Sequence, residues 1–206
     1  MQYHDLKDQL KDFSVFSLSD IRKIEPKFYP ARLSQWQEKG YIKKLRRGHY
    51  VFADINLNEE RLFLIANHLY APSYVSLESA LSYYGLIPEG VYSITSISST
   101  KTARFRTPIA DFVYRNVRPP LLFGYHLKKI GGQRYKIAEI EKAVLDYLYF
   151  HPTIVREADF HEWRFNSEEF LLHADIAKLR KYAKESYRKS FCVRLEELIS
   201  LIENNK

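Results

Sequence analysis

The sequence predicts an α+β protein in two parts: residues 1–55, helical with a closing hairpin, and residues 56–206, an antiparallel sheet with helices against it. Three observations carry this expectation. Apolar residues recur at helical spacing through the opening part, punctuated by Pro26, Pro30 and Gly40. From Val91 the spacing changes to two, and from Ile140 it returns to helical. A chain of 206 residues with 46% hydrophobic and 15% aromatic content has the means to bury one or two cores of this kind.

In chain order, Leu6, Leu10 and Phe13 form the apolar stripe of a first helix, which breaks at Ser14. Ser17 stands ahead of Asp20 as the N-cap of a second helix with Leu18, Ile21 and Ile24 inward, and Pro26 ends it. Pro30 suits the first turn of a third helix and Gly40 its exit, with Leu33 and Trp36 on the inner face. A step of about 100° per residue puts Ala31, Ser34, Gln35 and Glu38 on the outer face, flanked by Arg32 and Lys39. YIKKLR and HYVFA then read as two strands joined near Arg47-Gly48. Three helices and a basic hairpin are the order of a winged helix-turn-helix. In that arrangement the third helix enters the major groove of DNA and the hairpin approaches the backbone or minor groove. The plainer reading is a three-helix packing module whose hairpin caps its core.

Residues 56–58 mark the boundary between the parts. NEERLFLIANHLY reads as a helix with Leu62, Ile65, Ala66 and Leu69 inward, and SLESALSYYG as another, capped by Ser76 and closed by Gly85. VYSITSIS, ARFRT, DFVYRNV, LLFGYHLKK and QRYKIA alternate as strands, broken at Pro108, Pro119-Pro120 and Gly131-Gly132. EIEKAVLDYLYFH is expected to be a helix that buries Ile140, Ala143, Val144 and Leu148 and hydrates Glu139, Glu141 and Asp146. Beyond Pro152 the spacing is mostly helical, including 176–183 and 187–202.

The net charge of +7 is unevenly placed. Residues 22–47 hold nine Lys and Arg against Glu25 and Glu38, residues 101–136 hold another nine against Asp111, and the remainder is net acidic. Segregation of this kind gives a local positive field suited to a polyanion, and it equally describes a solvated basic face. No apolar run reaches the roughly 18 residues of a membrane span, and MQYHDLKDQLKDF lacks a signal-peptide core. A cytoplasmic protein is the expectation. A single cysteine, Cys192, excludes an internal disulfide and a multi-cysteine zinc site.

The seven histidines are scattered without HExxH spacing, and GxGxxG, Walker A and GxSxG are absent. Asp111, Glu139, Glu141 and Asp146, with Lys136 and Lys142 nearby, raise the question of a metal-dependent nuclease. Glu141 and Lys142 are adjacent, however, where restriction-type nucleases separate the pair by one residue. No catalytic residue, metal or cofactor is expected.

Three stretches are more specific: PSYVSLESALSYYGLIPEGVYSITSIS, STKTARFRTPIADFVYRNV and YKIAEIEKAVLDYLYFHP. In this order they resemble the AbiEi family of type IV antitoxins and transcriptional regulators, over residues 14 to about 152. The resemblance implies an N-terminal winged helix that binds inverted repeats in double-stranded DNA upstream of its own operon. It also implies a C-terminal domain that counteracts a nucleotidyltransferase-like toxin, with or without a stable complex.

On this reading Arg32, Ser34 and Gln35 face base edges, Arg and Gln being able to make bidentate base contacts. Lys39, Lys43, Lys44, Arg46, Arg47 and His49 neutralise phosphates. A second basic surface, Lys101, Arg104, Arg106, Arg115 and Arg118, recurs on strands beside Phe105 and Tyr114 and suits DNA, an acidic partner, RNA or plain solvation. Two alternatives stay open: a winged-helix regulator without a toxin partner, and an enzyme whose winged helix delivers a nuclease or transferase domain.

Overall fold

The computed structural model describes residues 2–88, 90, 92–155 and 157–204. In the first part, Leu6 and Leu10 of α1 (Tyr3–Leu10), Ile21 of α2 (Leu18–Ile24), and Leu33 and Trp36 of α3 (Ala31–Glu38) meet Phe16, Phe28, Ile42 and Phe52 in one buried cluster. Phe13 does not join it: α1 ends at Leu10 and Phe13 stays 40% exposed. Ser17 caps α2 as its spacing predicts, the Asp20 carboxylate accepting from the Ser17 N–H at 3.0 Å while the Ser17 hydroxyl accepts from the Asp20 N–H. Pro30 precedes α3, and Gly40 leaves it at φ 72°, a left-handed turn that glycine adopts without steric cost. β2 (Ile42–Arg46) and β3 (His49–Phe52) form the hairpin. β1 (Phe16–Ser17), too short for periodicity to reveal, adds to β3 and gives an antiparallel sheet in the order β1-β3-β2.

The second part begins with α4 (Glu59–Leu69), capped by Asn58, whose amide oxygen accepts from the Arg61 N–H at 2.9 Å. Then come β4 (Ser73–Val75), α5 (Glu78–Tyr83), β5 (Ser93–Ser98), β6 (Ala103–Arg106), β7 (Asp111–Asn116), β8 (Tyr125–Ile130), β9 (Gln133–Ala138) and α6 (Ile140–Phe150). Among the described residues four helices follow: α7 (Glu157–Glu162), α8 (Ser167–His173), α9 (Ile176–Ser186) and α10 (Lys189–Asn204). The six strands lie in the order β6-β7-β5-β4-β9-β8. α4 packs on one face, α5 and α6 on the other, and α9 and α10 outside α6.

The expected antiparallel sheet is in fact mixed. β6 and β7 form a hairpin, and β7 takes the place beside β5, so it runs parallel to β5, while β4 pairs in parallel with β9 through Val75 and Ile137. Period two reports which side chains share a face and says nothing of a strand's neighbour or direction. The expected Ser76 cap is also replaced. Leu77 occupies the N-cap position at φ 57° and ψ −140°, with no side-chain cap, and the Ser76 hydroxyl donates to Asp146.

The two parts share buried surface. Val15, Leu45 and Val51 belong to the large core built on α4 and the six-stranded sheet rather than to the small cluster. The Ser14 N–H donates to the Gln133 amide oxygen at 3.1 Å, and the Arg46 guanidinium donates to the Leu69 carbonyl at 2.5 Å. Residues 63–66 of α4 are buried in succession, beyond the single stripe that its sequence suggests.

Candidate nucleic-acid interface

α3 turns Leu33 and Trp36 inward, which leaves Ala31, Ser34, Gln35, Glu38 and Lys39 exposed on the side away from the core. Arg32 on its flank is half-buried. Beside this face stands the β2–β3 hairpin, where Lys44 and Arg47 are exposed and Lys43 and His49 are half-buried. The His49 imidazole lies 3.3 Å from the Arg47 carbonyl. Small and amide side chains on a helix, with cations around them, match the chemistry of base edges flanked by phosphates.

Arg46 is placed differently from its sequence neighbours. Besides its bond to Leu69, its guanidinium lies 4.8 Å from the Phe105 ring centroid and 5.9 Å from that of Tyr70. A register shift in β2 between Lys44 and Arg46 lets Leu45 bury while Arg46 reaches toward the sheet. Arg46 therefore clamps the hairpin to β6 and the end of α4, whereas Lys44 and Arg47 remain exposed.

The second basic stretch is divided by the strand order. Arg104, Arg106 and Arg115 stand at the β6–β7 edge, and Lys128, Lys129, Arg134 and Lys136 at the opposite β8–β9 edge. Three to five strand spacings, about 14–24 Å, separate the two. Lys101, Arg104, Arg106, Arg115 and Arg118 are all exposed. Their supposed aromatic companions are not on the same surface: Phe105 and Tyr114 face α4, where the Tyr114 hydroxyl donates to the Ala66 carbonyl at 2.7 Å. Arg115 instead lies 6.0 Å from the Phe150 ring centroid of α6, and Arg104 is paired with Asp111 at 2.7 Å.

The acidic residues considered for a nuclease site have separate structural partners. Glu139 receives the Tyr182 hydroxyl at 2.8 Å and Lys178 at 2.9 Å, and Glu141 receives the Asp175 N–H at 2.9 Å, so both dock α9 onto α6. Burial pulls the Glu139 carboxyl upward, but the hydrogen bonds from Lys178 and Tyr182 outweigh it and hold the group below its ordinary value. Asp146 pairs with Lys142 one helical turn away, and Asp111 sits on β7. Among the described residues, no three His, Cys, Asp or Glu side chains gather closely enough to hold a metal ion.

The surroundings of Lys142 are the feature that periodicity missed. Of Glu139, Glu141 and Asp146, expected to be hydrated, Glu139 is half-buried and Glu141 and Asp146 are buried at 4% and 1% exposure, as is Lys142 at 0%. The Lys142 ammonium donates to Asp146 and to the Tyr187 hydroxyl, and lies 4.9 Å from the Phe123 centroid and 5.7 Å from that of Tyr74. Asp146 also accepts from the Tyr74 and Ser76 hydroxyls, each at 2.8 Å. Burial, and then the Asp146 charge, push the Tyr74 and Tyr187 phenols well above their ordinary value, which keeps both protonated. One sequence signal pointed here: two charges at i and i+4 inside an otherwise apolar helix pair internally when both faces are covered.

No protein-family model and no curated protein matches the chain. No helix among the described residues is long and apolar enough to cross a membrane.

Proposed function

We propose that the protein is a DNA-binding transcriptional regulator whose residues 1–55 are a winged helix-turn-helix, acting in the cytoplasm as autorepressor and antitoxin of a type IV toxin-antitoxin system. The observation that carries the DNA-binding half is the outward face of α3, where Ser34 and Gln35 are exposed beside Lys39, Lys44 and Arg47. Glu38 on that face repels phosphate and so favours a pose in which it meets a base edge, where a carboxylate accepts from cytosine. The antitoxin half rests on the motifs that resemble the AbiEi family, and its partner is a nucleotidyltransferase-like toxin encoded nearby.

The test pairs promoter binding by the full chain at several salt concentrations with growth rescue on co-expression of the neighbouring reading frame. Arg47→Ala weakens binding to every sequence and reduces the salt slope by about one, as loss of one phosphate contact requires. Gln35→Ala costs about 1–3 kcal/mol on the operator alone. Unchanged affinity and slope after Lys44→Ala with Arg47→Ala would remove the winged-helix assignment. Repression without growth rescue would leave a regulator with no toxin partner.

A further inference from the structure

On the sheet face opposite α4 there is a groove of about 580 Å³. Its floor is Thr95 and Val113, paired neighbours on β5 and β7. Its apolar wall includes Leu77, Ile87, Tyr147 and Trp163. Arg104 on β6 pairs directly with Val113 on β7, and Arg115 lies two residues further along β7, so both side chains leave the same face and bracket Val113. The Asp111 carboxylate holds one edge of the Arg104 guanidinium at 2.7 Å, which orients the fork and leaves its other donors open. Glu78 of α5 and Glu162 of α7 line the same groove and supply acceptors from the helical side.

A second observation singles out this rim. Leu77 is held at φ 57° and ψ −140°, a conformation costly to any residue but glycine. Thr95 enforces it from both sides: its hydroxyl donates to the Ser76 carbonyl at 2.7 Å and accepts from the Ser79 N–H at 3.0 Å, while its own N–H donates to the Ser79 hydroxyl at 2.8 Å. The strained turn carries the Leu77 side chain into the groove wall above the Thr95 floor. Strain fixed in this way belongs to sites whose shape matters.

We propose that this groove binds a nucleoside monophosphate. Two guanidiniums from adjacent strands take the phosphate by charge-assisted hydrogen bonds. The carboxylates on the opposite side accept from ribose hydroxyls, as acidic residues do in dinucleotide sites. The apolar wall covers the planar base, and the volume falls in the range of small-molecule pockets. A long polyanion is disfavoured by Glu78 and Glu162, which separates this site from the proposed DNA surface and makes it independent of that reading.

Titration calorimetry on the full-length protein, with AMP, adenosine and inorganic phosphate as probes, tests the proposal. AMP is expected to bind saturably with a Kd of about 10–100 μM, a usual range for a few charged contacts in an open groove. Arg104→Ala and Arg115→Ala each weaken it at least about tenfold, whereas Arg106→Ala, on the same face but outside the groove, leaves it within about twofold. Adenosine and phosphate alone bind more weakly than AMP. Absence of saturable AMP binding to folded protein up to about 1 mM overturns the proposal. So does binding that neither arginine variant changes, or equal affinity for AMP and inorganic phosphate.

Discussion

Replacing Lys142 by methionine removes one half of an ion pair whose side chains are 0% and 1% exposed. Breaking such a pair from one side typically costs about 3–5 kcal/mol because a charge is left buried without its partner. The environment grades the cost within that range. In Lys142→Met the Asp146 carboxylate keeps the Tyr74 and Ser76 hydroxyls, each at 2.8 Å, so the loss falls near about 3 kcal/mol. In Asp146→Leu the ammonium keeps the Tyr187 hydroxyl and three ring faces, but the Tyr74 and Ser76 hydroxyls lose their acceptor, and the loss approaches about 5 kcal/mol. The double variant Lys142→Met/Asp146→Leu removes both charges of the pair and leaves the Tyr74, Ser76 and Tyr187 hydroxyls to be satisfied. It is expected to lose about 2–4 kcal/mol, well short of the sum of the single losses. Urea unfolding followed by circular dichroism, with the denaturant slope compared across variants, gives each value. Single losses below about 1 kcal/mol, or a double variant equal to the sum, would refute the view that this pair is internally compensated.

Arg46→Ala is expected to lower stability by about 1–3 kcal/mol through the lost carbonyl and aromatic contacts while leaving the salt slope of DNA binding unchanged, the opposite of Arg47→Ala. Gly124→Ala strains a backbone at φ 69° and brings a methyl group within 3.1 Å of the Lys142 stem. A loss of about 2 kcal/mol or more in urea unfolding is the expected result. Glu139 has a folded pKa below its ordinary 4.5, so its contribution is complete above that value and is lost as pH falls below it. Acid unfolding of Glu139→Gln, compared with wild type between about pH 3 and 6, should show a shallower decline in that window. Asn67 closes the edge of β9 beyond the short β4, accepting from the Lys136 N–H and donating to its carbonyl. Asn67→Leu orphans both groups, and faster amide exchange at Lys136 is the measurement that checks it.

The resemblance in the chain gains a physical meaning from these contacts. In the Glu-Lys-Ala stretch of α6, Glu141 binds the start of α9 and Lys142 is the buried cation. In the Ser-Leu-Glu-Ser stretch at the head of α5, Ser76 reaches the same Asp146 and Ser79 locks Thr95. These residues of the first and third stretches lie largely at one buried junction between α5, α6 and the sheet. They say more about how that junction is held than about what its surface binds.

Elements governed by local rules were legible in the sequence. The Ser17 cap, the Pro30 and Gly40 limits of α3, its Leu33/Trp36 inner face and the alternation of the strands all follow from interactions within a few residues of each other. The exposed set on α3 follows equally, because a helix with one face buried presents the other. The tertiary structure decided everything that depends on partners distant in sequence. It made the sheet mixed, and it split one basic stretch between two edges. It set Arg46 against Leu69 and Phe105, and it buried Lys142 and Asp146 as a pair. Charge and periodicity describe a residue's preference for water. Whether that preference is met by water or by another side chain depends on which distant segment arrives beside it.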